Sequence, residues 1–231
     1  MKTAIDPNDP LARARQSAGA SSYAILAAVG RLLDGRHPGG GTLVDVGCGV
    51  GNLWPVLLGR FDRYAGADVM RYDTFPVEAS FHLIDTMTGR VDLSDHAADV
   101  TCAVETIEHV ENPRAFAREL TRLTKPGGWV VVTTPNQLSW LSKMTLVLRN
   151  EFNAFRAGSY PAHLTALLEV DLRRIAGECG WTDVAVAYTR AGRMPGTPWH
   201  WPRWLSRLSP RRFSDNVLVT GRVSTEKRGG V

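Results

Sequence analysis

The feature that most constrains the fold is a glycine-rich turn between a short apolar run and the next helical segment. Residues 44–52 read VDVGCGVGN, and the run TLVDV over 42–46 is typical of a buried β-strand. Glycine permits positive φ and has no Cβ, so a ligand can approach the main chain closely at such a turn. The spacing differs from the dinucleotide fingerprint, and no phosphate-loop lysine follows. The stretch predicts a strand–turn–helix unit whose turn can contact a ligand.

Strand-like and helix-like segments alternate along the rest of the chain. Helices are predicted at 17–33, 52–58 and 164–179. Another helix is predicted to begin at Pro113, with Asn112 as its N-cap, and to end before the KPGG stop at 125–128. The further strands are predicted at 64–68, 81–84, 100–104, 129–134, 183–189 and 217–223. This alternation predicts an α/β fold, a doubly wound and mostly parallel sheet, as a single domain over residues 1–231.

Composition excludes several classes of protein. The 231 residues are 44% hydrophobic and 22% charged, which is globular rather than disordered. No apolar run reaches the roughly 18 residues of a membrane-spanning helix. Residues 1–10 include Lys2, Asp6 and Asp9, so we expect no secretory signal there. Three cysteines do not make a disulfide framework, and we expect a cytoplasmic protein.

Acidic residues stand at or near the carboxyl ends of three successive predicted strands. Asp45 lies in the first strand, Asp68 ends the second and Asp85 ends the third. The carboxyl ends of parallel strands meet at one edge of the sheet, where a carboxylate can accept hydrogen bonds from ribose hydroxyls. We expect Asp68 to contact a ribose and Asp85 an adenine amino group. The alternative for a single such residue is a turn-forming or capping role.

Three more motifs complete a resemblance to a known family: ETIEHV at 105–110, KPGG at 125–128 and TPN at 134–136. With the glycine turn and the aspartates, they resemble the class I S-adenosylmethionine-dependent methyltransferases, and more narrowly the branch containing the ubiquinone-biosynthesis O-methyltransferases. The resemblance covers about residues 41–188. It implies a Rossmann-like sheet of seven strands with the last one antiparallel, and S-adenosylmethionine as cofactor. The residues expected to bind the cofactor are Asp45, Gly47, Cys48, Gly49, Gly51, Asp68, Val69, Asp85, Thr86 and Glu105.

The ETIEHV motif can support two kinds of chemistry. Glu105, Glu108 and His109 would share one face if this segment were helical. His109 could act as a general base oriented by Glu105 or Glu108 in a metal-free site. Alternatively, the resemblance implies that Glu105, Glu108, His109 and His163 hold a magnesium ion, with manganese or zinc as competitors.

Two long segments, 137–161 and 192–210, interrupt the alternation. The first is amphipathic and the second is rich in proline, with Trp199, Trp201 and Trp204. Long connections in compact domains often form lids or binding loops. We expect both to converge over the cofactor and form the acceptor pocket, with the indoles offering flat surfaces to a ring or a sugar. The alternative is that they cover a sheet edge or a core face.

Three functions follow from these residues. The first is O-methyl transfer to a hydroxyl of a small molecule, either a phenol or quinone precursor or a saccharide. The second is ribose 2′-O-methylation of RNA, although we expect no nucleic-acid partner because no dense basic and aromatic segment is present. The third is a non-catalytic cofactor-binding protein that contacts a membrane surface through the basic, amphipathic stretch 140–156. The sequence specifies no oligomeric state.

Overall fold

The computed structural model describes residues 9–225, so most of the N-terminal stretch in which no secretory signal is expected lies outside the described residues. The helices are α1 Pro10–Ser17, α2 Tyr23–Asp34, α3 Trp54–Leu57, α4 Pro113–Leu123, α5 Trp140–Arg149, α6 Glu169–Glu178 and α7 Arg203–Leu208. The strands are β1 Thr42–Val46, β2 Arg63–Asp68, β3 Ser80–Leu83, β4 Ala98–Val104, β5 Thr124–Pro135, β6 Trp181–Tyr188 and β7 Asn216–Val223.

The strands form one 7-stranded sheet in the order β3-β2-β1-β4-β5-β7-β6. Strands β1 to β5 are parallel, and β7 lies antiparallel to both β5 and β6. The predicted α/β fold and its antiparallel last strand are therefore confirmed. The order reverses between β1 and β4, and in such sheets the carboxyl ends of the strands at the reversal point form a ligand crevice.

Helices cover both faces of the sheet because alternate strand residues point to opposite sides. On one side Val130 and Val132 pack in a buried cluster with Leu120 of α4 and Ile175 of α6. On the other side Val131 belongs to a second cluster, which includes apolar residues of α2 and α3. These two layers fix the sheet edge that carries the acidic residues.

Three predicted helices differ from the structure. The helix predicted over 17–33 begins only at Tyr23, because Ala18 and Gly19 adopt positive φ of 58° and 57° and separate α2 from α1, which ends at Ser17. Helix α3 is limited to Trp54–Leu57, and α6 begins at Glu169 rather than at residue 164. The N-terminus of α4 is confirmed: Asn112 accepts a hydrogen bond from the Ala115 amide at 3.0 Å, and Pro113 is the first helical residue.

The segments 137–161 and 192–210 contribute no residue to either buried cluster. Helix α5 buries only Ser142 and α7 only Ser206, so their apolar side chains are largely exposed. Within residues 9–225, no helix is long and apolar enough to cross a membrane.

Candidate cofactor and metal site

A cavity of about 790 Å³ lies at the carboxyl ends of the parallel strands. Of the ten residues predicted to bind the cofactor, eight line this cavity: Asp45, Gly47, Cys48, Asp68, Val69, Asp85, Thr86 and Glu105. The other two, Gly49 and Gly51, are not among the lining residues and shape the turn beneath it. The sheet thus brings the predicted residues together at one edge.

The glycine turn after β1 depends on the missing Cβ atoms. Gly47, Gly49 and Gly51 have φ of +75°, +52° and +77°, a region that other residues rarely adopt. A Cβ on Gly49 would collide with the carbonyl oxygen of Gly19, and one on Gly47 would collide with the Thr106 side chain. The turn therefore packs against both the α1–α2 connection and the loop after β4, which closes the floor of the cavity.

Asp45 places a buried, partly unsatisfied carboxylate in the cavity wall. The hydroxyl of Tyr64 donates to its Oδ2 at 2.7 Å, whereas Oδ1 has no hydrogen-bond partner among the described residues. Burial, together with the nearby charge of Asp68, raises the pKa of Asp45 to about 7, although the Tyr64 hydrogen bond opposes this effect. A cationic ligand group at Oδ1 would favour the ionised form.

Asp68 supports the turn as well as facing the cavity. Its Oδ2 accepts from the Gly49 amide at 2.8 Å, and its Oδ1 accepts from the Val69 amide at 2.7 Å. Burial raises the pKa of Asp68, and these amide hydrogen bonds oppose that effect. A carboxylate has about four lone-pair sites, so acceptor capacity remains for a ligand hydroxyl.

Asp85 reaches the cavity from the loop after β3. Its Oδ1 accepts from the amides of Met87 and Thr88, both at 2.8 Å, and these bonds lower the pKa of this exposed carboxyl. Asp85 therefore has the turn-forming role that the sequence offers as an alternative. Its position in the cavity lining is also compatible with the predicted adenine contact.

The sequence did not reveal that helix α1 covers this cavity. Arg13, Ala14 and Ser17 line it, as does Tyr72 from the loop after β2. The Tyr72 hydroxyl donates to the Ala14 carbonyl at 2.7 Å, which ties α1 to that loop. The signal in the sequence was weak because α1 is short and polar, although Asp9 caps it by accepting from the Leu11 amide at 2.9 Å.

The expectation that Glu105 joins Glu108 and His109 on one helical face is wrong. Glu105 has φ of +52° and precedes a 3-10 turn at Ile107–His109. Its carboxylate is turned toward β5 and β7, where it accepts from the Thr133 hydroxyl at 3.0 Å and from the Asn216 amide at 2.7 Å. Burial raises the pKa of Glu105 to about 7, although both hydrogen bonds lower it.

The other three predicted metal ligands do converge. Glu108, His109 and His163 each offer a ligand atom within 4.8 Å of the others. The ring Nδ1 of His109 lies 2.8 Å from the Ala162 carbonyl, and that of His163 lies 2.6 Å from the Ala154 carbonyl. A carbonyl accepts only, so both Nδ1 atoms carry the proton and both Nε2 atoms keep a free lone pair.

Glu108 is the least satisfied member of this group. It is completely buried, and neither oxygen has a normal hydrogen bond to a described residue, although the unpartnered Thr134 hydroxyl lies near enough to lower its pKa. Burial, and next the charge of Glu105, hold the pKa of Glu108 well above its usual range. Burial, and next the neighbouring His163, lower the pKa of His109 to about 4. A cation would satisfy all three side chains.

A second cavity, of about 540 Å³, adjoins the first and shares Glu105 and His163 with it. Both interrupting segments contribute to it, the first with residues between Gln137 and Ser159 and the second with Arg193 and His200. The indoles expected to line an acceptor pocket do not line either cavity. Trp199 and Trp204 are 69% and 65% exposed, and Trp201 packs edge-on against Phe213.

Comparisons with known proteins identify the family of this chain. A methyltransferase domain model matches residues 14–186, more than half of the chain. The chain is 31% identical over 129 residues to a mitochondrial ubiquinone biosynthesis O-methyltransferase of Dictyostelium discoideum, a match that covers 48% of this chain and 40% of that protein. It is 33% identical over 118 residues to a ubiquinone biosynthesis O-methyltransferase of Thiobacillus denitrificans, covering 46% and 50%. The chain thus spans half or less of the length of these relatives.

Among solved structures, a SAM dependent methyltransferase from Archaeoglobus fulgidus superposes with a TM-score of 0.63. The superposition covers 87% of this chain and 95% of that one, at 15% sequence identity. At this level of identity the likeness shows a shared fold and carries no information about the acceptor.

Proposed function

This chain belongs to the S-adenosylmethionine-dependent methyltransferases, and we propose that it methylates a hydroxyl group of a small molecule with the help of a divalent metal ion. The observation that carries the metal-assisted proposal is the buried carboxylate of Glu108, which has no hydrogen-bond partner among the described residues and lies with the imidazoles of His109 and His163, one ligand atom of each within 4.8 Å of the others.

The first cavity fits the cofactor. The unpartnered Oδ1 of Asp45 can accept from the cofactor's ammonium group, and the Asp68 carboxylate can accept from the ribose hydroxyls. Gly47 and Cys48 of the glycine turn also line this cavity. When bound, S-adenosylmethionine supplies an electrophilic methyl group on a cationic sulfur, so the protein's task is alignment and removal of the acceptor's proton.

The group of Glu108, His109 and His163 fits a divalent cation. Each imidazole donates Nδ1–H to a backbone carbonyl, which is the arrangement that orients histidines for metal binding. One carboxylate and two imidazoles suit manganese, iron or zinc as well as magnesium. A cation held there would lower the pKa of an acceptor hydroxyl beside it.

The pKa of His109 favours this metal-assisted chemistry over a metal-free base. A general base works best when its pKa lies near the working pH, and a histidine with a pKa of about 4 is a weak proton acceptor at neutral pH. The same lowered pKa keeps the imidazole neutral, which is the state that binds a metal ion. His109 therefore serves better as a ligand than as the base.

Manganese binding to the purified protein tests the site directly. We expect paramagnetic resonance to detect one tightly bound Mn²⁺ in the wild type and binding at least tenfold weaker in Glu108→Gln. The matched control is Glu78→Gln, an exposed carboxylate away from both cavities. Equal Mn²⁺ affinity in wild type and Glu108→Gln would exclude this metal site.

A labelled-methyl assay over phenolic, saccharide and RNA acceptors tests the reaction. We expect transfer to a phenolic or saccharide hydroxyl. Transfer to RNA alone would replace the proposal by ribose methylation. Cofactor binding without transfer to any acceptor would instead favour the non-catalytic alternative.

Exposed apolar side chains on α5 and on α7 support a second proposal, contact with a membrane surface. Val147 and Leu148 are 83% and 75% exposed, and Trp204 is 65% exposed, beside basic residues such as Arg149 and Arg207. Exposed apolar and basic side chains on short helices are typical of interfacial binding. Co-sedimentation with vesicles rich in phosphatidylglycerol, but not with phosphatidylcholine vesicles, is the expected result. Absence of binding to both kinds of vesicle would contradict it.

A further inference from the structure

Building on the proposed function, we propose that the second cavity is the acceptor pocket and that it selects a hydroxylated acceptor carrying an oxyanion, either a carboxylate or a phosphate. The selecting residue is Arg156.

The cavity opens at the reacting end of the cofactor site. Ser22, Ile25, Glu105 and His163 belong to the linings of both cavities. A molecule in the second cavity can therefore place a hydroxyl beside His163, next to the group proposed to hold the metal. Its volume of about 540 Å³ lies within the usual range for small-molecule sites.

The walls of this cavity are polar and held in place. The Ser142 hydroxyl donates to Gln137 Oε1 at 3.0 Å, and the Gln137 amide nitrogen donates to the Pro135 carbonyl at 3.0 Å. Across residues 9–225, the side chains of Asn153 and Ser159 have no hydrogen-bond partner, so they remain available to a ligand. A hydroxylated ligand can bond these groups, whereas an aliphatic one would desolvate them without replacement.

The charges lining the cavity leave one cation without a partner. Arg193 is paired with Asp215, with its Nε 2.8 Å from Oδ2. Arg156, by contrast, forms no ion pair or side-chain hydrogen bond with any residue in the described part of the chain. A guanidinium presents a planar fork of donors that matches carboxylate and phosphate oxygens. An acceptor with such a group would be held with its hydroxyl directed toward His163.

Binding to the S-adenosylhomocysteine complex, measured by calorimetry at low ionic strength with Mg²⁺ present, tests this specificity without requiring methyl transfer. The probes are caffeate against caffeamide, and glucuronate and glucose 6-phosphate against glucose. We expect an anionic probe to bind about tenfold more tightly than its neutral counterpart, because an exposed charged hydrogen bond is weakened by solvent. The comparison of glucuronate with glucose 6-phosphate identifies which oxyanion is preferred.

Substitutions at Arg156 identify the residue responsible. Arg156→Gln should abolish the preference for the anion, and Arg156→Lys should retain part of it. Arg149→Gln, which removes an exposed arginine of α5 outside both cavities, should leave the preference unchanged. In a turnover assay Arg156→Gln should raise KM for the anionic acceptor much more than it lowers kcat, since Arg156 is proposed to bind the anionic group and not the reacting hydroxyl.

The inference and the proposed function fail in different ways. Equal binding of neutral and anionic probes, a preference that survives in Arg156→Gln, or no binding of any probe would overturn the inference. Arg156-dependent binding of an anionic probe that never receives a methyl group would uphold the inference and count against O-methyl transfer to that probe. Methyl transfer to neutral probes at the same rate in wild type and Arg156→Gln would support the proposed O-methyl transfer and overturn the inference about Arg156.

Discussion

Replacing Asp68 by asparagine tests how the carboxylate at the end of β2 serves both the turn and the cofactor. In the structure its two oxygens accept from the amides of Gly49 and Val69 at 2.8 and 2.7 Å. An asparagine has one oxygen and one nitrogen, so one of these amides would face a donor instead of an acceptor. The buried, unsatisfied amide should lower the free energy of unfolding by about 1–3 kcal/mol.

Cofactor binding should fall in the same variant. Hydrogen bonds to a charged group contribute about 1.5–3 kcal/mol, which corresponds to a Kd raised roughly 10- to 150-fold for S-adenosylhomocysteine. Calorimetry measures the affinity and thermal denaturation the stability. The matched control is Asp73→Asn, an exposed aspartate in the following loop, which should change neither. Binding within twofold of wild type in Asp68→Asn would refute the assigned ribose contact.

Three further changes have defined outcomes. Asp45 has a pKa of about 7 and must be ionised to bind an ammonium group, so cofactor affinity should fall as the pH is lowered through 7. Calorimetry at a series of pH values should show a weaker pH dependence of this affinity in Asp45→Asn. The same pH dependence in wild type and Asp45→Asn would contradict the contact. Gly49→Ala should lower the free energy of unfolding by more than about 2 kcal/mol in denaturant titrations, because the alanine would need a positive φ and its Cβ would collide with the Gly19 carbonyl. Gly158→Ala, at a position with open space, should change it little. Equal losses in the two variants would contradict the packing of the turn. Tyr72→Phe removes the bond that holds α1 over the cavity, so stopped-flow measurements should show cofactor dissociating several-fold faster, and an unchanged rate would argue against α1 as a cover.

The sequence predicted the sheet and the cofactor edge because both depend on local patterns. The run TLVDV followed by spaced glycines could only be read as a strand and a tight turn, and both are present. Asp68 and Asp85 follow strands whose carboxyl ends meet at one edge, so their convergence followed from the parallel topology. The start of α4 was predictable because the Asn112 side chain caps the helix and the ring of Pro113 restricts its φ to a helical value.

What the sequence could not predict depends on tertiary contacts. The sequence spacing predicts that Glu105 shares a face with Glu108, but the positive φ at Glu105 and its hydrogen bonds to Thr133 and Asn216 turn its carboxylate away. Those partners lie on β5 and β7, which are distant from Glu105 in the sequence, so a local residue pattern cannot predict these contacts. The exposed indoles were assigned to the acceptor pocket because aromatic residues often bind rings, yet the second cavity is lined mainly by polar side chains.

We propose above all that methyl transfer to a hydroxyl requires a metal ion held by Glu108, His109 and His163. Its most direct test is labelled-methyl transfer by protein that has been stripped of metal and then reconstituted. The account predicts no transfer by the stripped protein to caffeate or glucuronate, although S-adenosylhomocysteine still binds, and recovery when Mg²⁺ or Mn²⁺ is added. Full transfer by metal-free protein, unaltered in Glu108→Gln, would contradict it.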